Sequence, residues 1–227
     1  MRIGGNALRA AVLGANDGLV SNFCLIMGVA GAGGDRSAIL IAGIAGLVAG
    51  ALSMALGEWL SVQSARELYA HQLHLEEAEL EERPDEEEAE LWAIYEAKGI
   101  PLEQAASLAH RIVRGDRRTA LDTMAREELG IDPNELGGSA WVAAVTSFSL
   151  FAVGAIIPVL PFLIARGMAA VIIATLFSAT AMLAIGAFIA RVTGRSPIRS
   201  ALRQLAFGIA AAAVTFGIGQ LLGAAIS

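Results

Sequence analysis

The acidic residues of this 227-residue chain are concentrated in one internal block. All but three of its 22 Asp and Glu residues lie between Arg66 and Glu135, and the densest run, EEAELEERPDEEEAE, occupies Glu76 to Glu90. The remainder is almost entirely apolar. Overall 56% of the residues are hydrophobic and 17% are charged, whereas about a quarter are charged in an ordinary soluble domain. Charge segregated in this way predicts a protein in contact with two solvents, water and lipid.

Five apolar segments are long enough to cross a bilayer core, which takes about 20 helical residues. They span approximately residues 7–32, 37–64, 140–165, 168–191 and 201–226. We therefore predict an all-α membrane protein with five transmembrane helices and a cytosolic helical metal-binding domain inserted between the second and third. The predicted domains are residues 1–65 (helices 1 and 2), 66–135 (the acidic domain) and 136–227 (helices 3 to 5). Pro158 and Pro161 in the third segment are expected to free backbone carbonyls and bend it.

The distribution of basic residues predicts the orientation. Lys and Arg are frequent near the N-terminus, in the acidic block and between the fourth and fifth segments, whereas the other side has only Arg36 and Arg166. Basic residues favour the cytosolic side, so the N-terminus and the acidic block are expected in the cytosol and the C-terminus outside. We expect a compact, prokaryotic-type protein of the cell (plasma or inner) membrane. No basic-plus-aromatic patch indicates nucleic-acid binding.

The first apolar segment contains a carboxylate, Asp17, beside the close-packing pattern Gly14-x-x-x-Gly18. A carboxylate at the centre of a bilayer costs at least about 2.5–3.5 kcal/mol and usually belongs to an ion or proton path. Asp17 is therefore a candidate pathway residue. The alternative is that the membrane segment begins later, which would leave Asp17 at the cytosolic interface.

The second apolar segment places Met54 and Glu58 one helical turn apart. Alone, Met54 would be read as core filler and Glu58 as interfacial. Together a soft sulfur and a hard oxygen suit a borderline divalent metal better than Mg²⁺ or Ca²⁺. The predicted transport pathway is thus Asp17, Met54 and Glu58.

The acidic block is predicted to form helices over about residues 66–83, 85–97, 101–114 and 116–129, the first continuous with the second apolar segment. Pro84 interrupts the first of these, and Asp85 is expected to cap the next. Metal-ligating side chains recur three residues apart, on one helix face. The predicted metal ligands are Glu76, Glu79, Glu87, Glu90, Met124 and Glu127. A charge run is more often a solvated face, so spacing alone leaves cation binding open.

Four stretches of the chain resemble one family. LGANDGLVSNFCLIMGVAGA, then SMALGEWLSVQS, the Glu-rich insert and GAIIPVLPF are similar, in this order, to the vacuolar iron transporters. The resemblance implies a five-span homodimer that exchanges cytosolic Fe²⁺ for protons along a path at the dimer interface. It also implies that a cytosolic helical domain collects the metal.

The resemblance puts the family's functional residues on positions that the spacing had indicated. Its membrane aspartate and methionine fall on Asp17 and Met54, and its cytosolic ligands on the six positions given above. The chain departs from some members at Thr123, where they have a second methionine, and at Ala10 and Gly46, where they have acids. Glu58 is the candidate to supply the missing membrane charge.

Two other classes of protein stay open on the sequence alone. One is a membrane-anchored metal buffer or sensor that binds metal without moving it. The other is an enzyme such as a ferroxidase, but the di-iron pattern requires Glu-x-x-His, and no histidine here has a glutamate three residues before it. We therefore predict a transporter and not an enzyme, with no prosthetic group. Its substrates would be protons and Fe²⁺ or another divalent metal such as Mn²⁺.

Overall fold

The computed structural model describes residues 5–133 and 138–226, and the secondary structure of these residues is α-helical, in agreement with the predicted fold class. No strand occurs among them. The helices, in chain order, are α1 (Gly5–Gly31), α2 (Arg36–Glu82), α3 (Pro84–Ala97), α4 (Leu102–Val113), α5 (Arg117–Glu127), α6 (Ala140–Ile156), α7 (Leu160–Ile164), α8 (Gly167–Thr193) and α9 (Pro197–Ile226).

The chain forms two compact units. One contains the residues up to Trp59 and those from Trp141 onwards, and we call it the apolar unit; the other, Leu60–Ala140, we call the acidic unit. Helix α2 belongs to both, because it runs without interruption from Arg36 to Glu82, as the sequence had predicted for residues 66–83. The predicted boundary at Glu135 lies outside the described residues.

Four helices of the apolar unit are long and apolar enough to cross a membrane: α1, α2, α8 and α9. The third predicted segment is divided, because α6 ends at Ile156 after 17 residues and α7 begins at Leu160. Pro158 explains the break. It has no N–H to donate within the helix, and its ring clashes with the preceding turn. Helix length alone therefore does not establish a fifth crossing.

The helices of the apolar unit alternate in direction. Helix α1 runs parallel to α6 and α9, and α2 and α8 run antiparallel to these neighbours. The contacts that establish these directions join Gly14 to Leu150, Gly18 to Ala155, Gly28 to Thr215, Gly223 to Ala32, Gly43 to Val159, Gly50 to Phe151, Gly186 to Ala201 and Gly208 to Met182.

Helices α1 and α6 cross at two glycines. A Cβ atom on Gly18 would lie 2.1 Å from the carbonyl oxygen of Phe151, and one on Gly154 would lie 2.1 Å from that of Ala15. Neither position can hold a larger residue unless the backbones separate. Small residues of this kind let membrane helices approach closely enough to gain dispersion energy.

The broken segment is held by a buried side-chain amide. Asn22 is 2% exposed, and its Nδ2 donates to the carbonyls of Gly43 (3.0 Å) and Ala155 (2.7 Å). In an unbroken helix the Ala155 carbonyl would accept from Val159 N–H, which here donates to Ile156. The structure thus contains the expected freed carbonyl, and Asn22 satisfies it.

The far end of α7 is capped by Arg36. Its Nε donates to the carbonyl of Phe162 (2.7 Å) and its Nη2 to that of Leu163 (2.6 Å). These carbonyls lie at the C-terminal end of the short helix, where a cation is favourable.

The acidic unit packs α3, α4 and α5 around a small apolar core that contains Leu91, Tyr95, Ala105, Ala109 and Met124. Pro84 is the first residue of α3, where its missing N–H costs nothing. The prediction that Asp85 caps α3 is therefore wrong, because proline moves the start of the helix and Asp85 instead pairs with Arg114. Asp116 does cap α5, accepting from Thr119 N–H at 3.0 Å.

Candidate metal centre

Two glutamates of the acidic unit are almost completely buried. Glu76, on α2, is 2% exposed, and Glu87, in the first turn of α3, is 4% exposed. The break at Arg83 and Pro84 lets the chain turn back, so that carboxylates from two successive helices meet. Ionised side chains are seldom buried to this extent unless an opposite charge neutralises them.

A third carboxylate joins this pair. Glu128 follows the last residue of α5, and one oxygen from each of Glu76, Glu87 and Glu128 lies within 4.8 Å of the others. Divalent cations bind oxygen at about 2.0–2.6 Å, so two ligands on opposite sides of one cation lie about 4–5 Å apart. The spacing of the three oxygens is therefore that of a single cation site.

The buried carboxylates lack partners of their own. Oε1 of Glu76 and Oε2 of Glu87 are inaccessible to solvent and have no hydrogen-bond partner among the described residues. Neither residue, nor Glu128, forms an ion pair with any described Lys, Arg or His side chain. A buried acceptor left unsatisfied costs about 1–3 kcal/mol, and more if it is charged. A bound cation would satisfy both oxygens.

Five basic side chains of the acidic unit are used elsewhere. They pair with carboxylates on its outer surface, most of which are more than a third exposed. These pairs are Arg83 with Glu79 and Glu86, Lys98 with Glu127, Arg114 with Asp85 and Glu88, Arg117 with Glu77 and Glu81, and Arg126 with Asp122 and Asp132. Several outer carboxylates thus have a cationic partner, whereas Glu76, Glu87 and Glu128 have none among the described residues.

The environment favours the protonated form of these acids. Burial, followed by the charges of Glu128 and Glu87, raises the pKa of Glu76 from 4.5 to about 8. Burial, followed by the charge of Glu90, raises the pKa of Glu87 to about 7. The two buried carboxyl groups are coupled, so each raises the energetic cost of ionising the other. The pKa of Glu128 is also raised, chiefly by burial.

Glu79 and Glu90 flank the cluster. Glu79 pairs with Arg83 at 3.2 Å, and its negative charge still raises the pKa of Glu76. Glu90 is exposed, and its charge raises the pKa of Glu87 and of Glu128. Glu79 lies about one helical turn from the buried Glu76, and Glu90 about one turn from the buried Glu87. Both predicted ligands therefore influence the cluster through their charge.

The third predicted pair, Met124 and Glu127, has a different environment. Met124 is fully buried in the apolar core beside Leu91. Glu127 is ion-paired with Lys98, and Glu128, which was not predicted, supplies the third carboxylate. The sequence did carry a signal for Glu128, since it follows the buried Ala120 and Met124 at four-residue spacing on one helix face.

The predicted pathway residues lie in the apolar unit. Asp17 is exposed on α1, and Met54 and Glu58 are half-buried on α2. The Met54 sulfur would lie 3.7 Å from a Cβ atom on Gly14, so its thioether packs against α1 one turn before Asp17. No hydrogen bond or ion pair joins Asp17 to Glu58 in the part of the chain that the structure describes.

Comparison with known proteins identifies the family. The sequence profile of the VIT family matches residues 8–220. The chain is 32% identical over 222 residues to vacuolar iron transporter 1 of Arabidopsis thaliana, covering 96% of this chain and 87% of that protein. It is 32% identical over 220 residues to vacuolar iron transporter 2 of Oryza sativa subsp. japonica, with coverages of 95% and 87%.

A more distant organism supplies a third relative. The chain is 35% identical over 222 residues to the vacuolar iron transporter of Acanthamoeba castellanii, covering 94% of this chain and 78% of that protein. These matches run from the first membrane helix through the acidic unit to α9, so they include both the buried carboxylates and the apolar helices. The chain belongs to the VIT family, the family of the vacuolar iron transporters.

Proposed function

We propose that this protein exports cytosolic Fe²⁺, and also Mn²⁺, across its membrane in exchange for protons. Membership of a family of iron transporters supports metal transport. The observation that carries the proposal further is the cluster of Glu76, Glu87 and Glu128, because its unsatisfied buried oxygens fit a divalent cation. All three ligands are carboxylates, which Mn²⁺ accepts readily and Fe²⁺ also accepts.

In this proposal the cluster collects metal for transport. A carboxylate oxygen cannot hold a proton and a metal ion together, so binding of the cation releases any proton bound to Glu76 or Glu87. The raised pKa values of these two residues mean that this exchange takes place near neutral pH. Glu79 and Glu90 add negative charge that attracts the cation to the site.

Asp17, Met54 and Glu58 are proposed to form the path through the apolar unit. Asp17 is exposed on α1, where the neighbouring exposed residues Leu13 and Leu25 are apolar and Ser21 is polar. A carboxylate facing lipid would be costly, which supports a homodimer in which a second copy covers this face of α1. Met54, packed against α1, is positioned to contribute its sulfur near the same face.

Five membrane crossings are proposed, with α6 and α7 together forming the third. Helix α9 runs parallel to α1. This direction is expected if α6 and α7 together cross the membrane once between the α1–α2 and α8–α9 hairpins, because the first and fifth of five crossings run the same way. The acidic unit and the N-terminus would then face the cytosol and the C-terminus the other side. The predicted cell-membrane location stays a prediction, since the relatives are named as vacuolar.

Transport can be tested with purified protein in liposomes that contain a pH reporter and an Fe²⁺ indicator. Fe²⁺ flux with opposite proton movement is expected, and Asp17→Asn should abolish both. Glu103→Gln, which neutralises an exposed acid on α4, serves as the matched control and should leave flux unchanged. Equal Fe²⁺ flux in Asp17→Asn and in the unmodified protein would overturn the proposed path.

A metal buffer or sensor is the second candidate, because the whole carboxylate cluster lies in the acidic unit and needs no path to bind metal. It predicts stoichiometric Fe²⁺ binding without flux in the same liposomes. A ferroxidase is disfavoured by family membership and would instead consume oxygen when Fe²⁺ is added.

A further inference from the structure

A basic pocket lies where the chain passes from α8 into α9. Its volume is about 370 Å³, and it is lined by Arg195, Ser196, Arg199, Ser200 and Arg203. The three arginines recur every fourth residue, and so do the two serines. Arg199, Ser200 and Arg203 lie on the first turns of α9, and Arg195 and Ser196 lie in the loop just before it, so three guanidinium groups and two hydroxyls line one cavity.

The arginines of this pocket have no ion-pair partner in the part of the chain that the structure describes. Arg195, Arg199 and Arg203 form no ion pair with any residue of the described ranges, in contrast to Arg114 and Arg117 of the acidic unit. Ser200 is 8% exposed, and its hydroxyl makes no hydrogen bond to a described residue. A nearly buried hydroxyl and three cationic side chains therefore converge on one cavity without an acceptor.

The chemistry of these groups selects an anionic, multi-oxygen ligand. Guanidinium groups bind phosphate with paired, charge-assisted hydrogen bonds. The pocket also includes the start of α9, where backbone N–H groups lack intrahelical acceptors and the helix dipole favours negative charge. A phosphate group would satisfy both sets of donors.

The surroundings of the pocket are apolar and exposed. Ile198 and Leu202, which alternate with the arginines along α9, are 72% and 56% exposed, and Phe207 one turn further is exposed as well. On α8, Val192 and Phe188 lead to the same loop and are about half exposed. In a membrane protein such side chains meet acyl chains. The pocket therefore adjoins lipid, which suits a ligand with a phosphate at one end and a hydrocarbon tail at the other.

We propose that this pocket binds the headgroup of an anionic phospholipid, with the arginines on the phosphate and the acyl chains along Ile198 and Leu202. Its lining residues belong neither to the carboxylate cluster nor to the proposed metal path, and the proposal does not depend on the transport function. Basic pockets between membrane helices are suited to such headgroups.

The test is thermal unfolding of the full chain in a neutral detergent, titrated with phosphatidylglycerol, phosphatidylcholine or inorganic phosphate. Each arginine near an anionic headgroup contributes a factor of about five in affinity. Arg199→Gln with Arg203→Gln should therefore weaken phosphatidylglycerol binding by about 30-fold. The matched control, Arg111→Gln with Arg166→Gln, removes the same charge from two exposed sites without ion pairs among the described residues and should leave the affinity unchanged.

Each alternative outcome overturns the proposal. Equal weakening in the two double variants would mean that general charge attracts the lipid. Stabilisation by phosphatidylcholine at the same concentrations would remove the preference for an anionic headgroup, and stabilisation by inorganic phosphate at those concentrations would make the pocket a free-phosphate site.

A second measurement covers the case in which the arginine variant does not fold. Native mass spectrometry of the unmodified protein, with equal amounts of phosphatidylglycerol and phosphatidylcholine, should retain one phosphatidylglycerol per chain in preference. Equal retention of the two lipids would overturn the proposal without any variant.

Discussion

Glu76 of α2 and Glu87 of α3 meet in the interior of the acidic unit, each with one carboxylate oxygen that has no hydrogen-bond partner among the described residues. Both are more than nine-tenths buried, and the nearby cationic side chains are paired with outer carboxylates. Two buried acids so close together require a shared proton or a cation. This arrangement is unfavourable for the empty protein and favourable for metal binding.

The first prediction concerns which glutamate completes the metal site. Glu128→Gln should lower Fe²⁺ or Mn²⁺ affinity by at least about 10-fold, because it removes one charged oxygen from the cluster. Glu127→Gln should have a smaller effect, since Glu127 is paired with Lys98. Calorimetric titration of the purified protein measures both. A larger loss in Glu127→Gln would restore Glu127 as the ligand, as the family resemblance implies.

The second prediction concerns the pH dependence of stability. The pKa values of Glu76 (about 8) and Glu87 (about 7) exceed the ordinary value of 4.5, so between these limits the folded state binds more protons than the unfolded state. The stability that these protons contribute is fully present below pH 4.5 and is lost as the pH rises through 7 and 8. The Tm of the metal-free protein should therefore fall between about pH 5.5 and pH 8.5.

Two comparisons check the origin of this slope. Glu76→Gln combined with Glu87→Gln should flatten it, because the amides do not titrate. Saturating Mn²⁺ should raise the Tm most at the alkaline end, where protons no longer compete. A double variant with the slope of the unmodified protein would show that other groups cause the pH dependence.

The third prediction concerns the crossing of α1 and α6. Gly18→Ala and Gly154→Ala each place a Cβ atom 2.1 Å from a backbone oxygen and should lower the free energy of unfolding by about 1–3 kcal/mol or more. Gly217→Ala on α9 is the control, since a Cβ atom there meets nothing within 4 Å. Denaturant unfolding in detergent compares the three. Equal stability of Gly18→Ala and Gly217→Ala would contradict the close crossing.

The fourth prediction concerns the amide of Asn22. Asn22→Leu removes the hydrogen bonds to the carbonyls of Gly43 and Ala155, and the Ala155 carbonyl also lacks its usual donor, Val159 N–H. With about 0.6–1.7 kcal/mol per interhelical bond in a membrane protein, the loss should be about 1–3 kcal/mol. The neighbouring Ser21→Ala, whose hydroxyl donates only within α1, should change stability little. A similar effect of the two substitutions would mean that Asn22 is not a structural link.

Much of the helical structure could be predicted because it depends on local signals. Pro84, Gly99 and Gly130 mark helix ends in the acidic unit, and the observed bounds agree within a few residues with the predicted ones. Asp85 was misplaced because proline at the first helical position shifts the cap by one or two residues. Pro158 indicated the break in the third segment. The hydrogen bond from Asn22 to Ala155 could not be predicted, because the two residues are 133 positions apart and meet only through tertiary packing.

The candidate site could be predicted only in part. Spacing of three residues identified Glu76 and Glu87, but it also grouped them with Glu79 and Glu90, which face the surface more than the interior. Which member of each pair is buried depends on how α2 and α3 pack, which spacing along one helix does not determine. Glu128 was overlooked because it lies just beyond α5 and is itself exposed, so only its four-residue spacing from Met124 marked it.

The link between Asn22 and Ala155 has a consequence for the order of assembly during synthesis. The segment of α6 and α7 carries a backbone carbonyl that lipid cannot satisfy, so it is poorly suited to stand alone in a bilayer. The donor to this carbonyl is Asn22 on α1, which also donates to the carbonyl of Gly43 on α2. Both helices leave the ribosome before α6. We therefore expect the α1–α2 hairpin to form first and to supply the donor that the segment of α6 and α7 needs when it inserts.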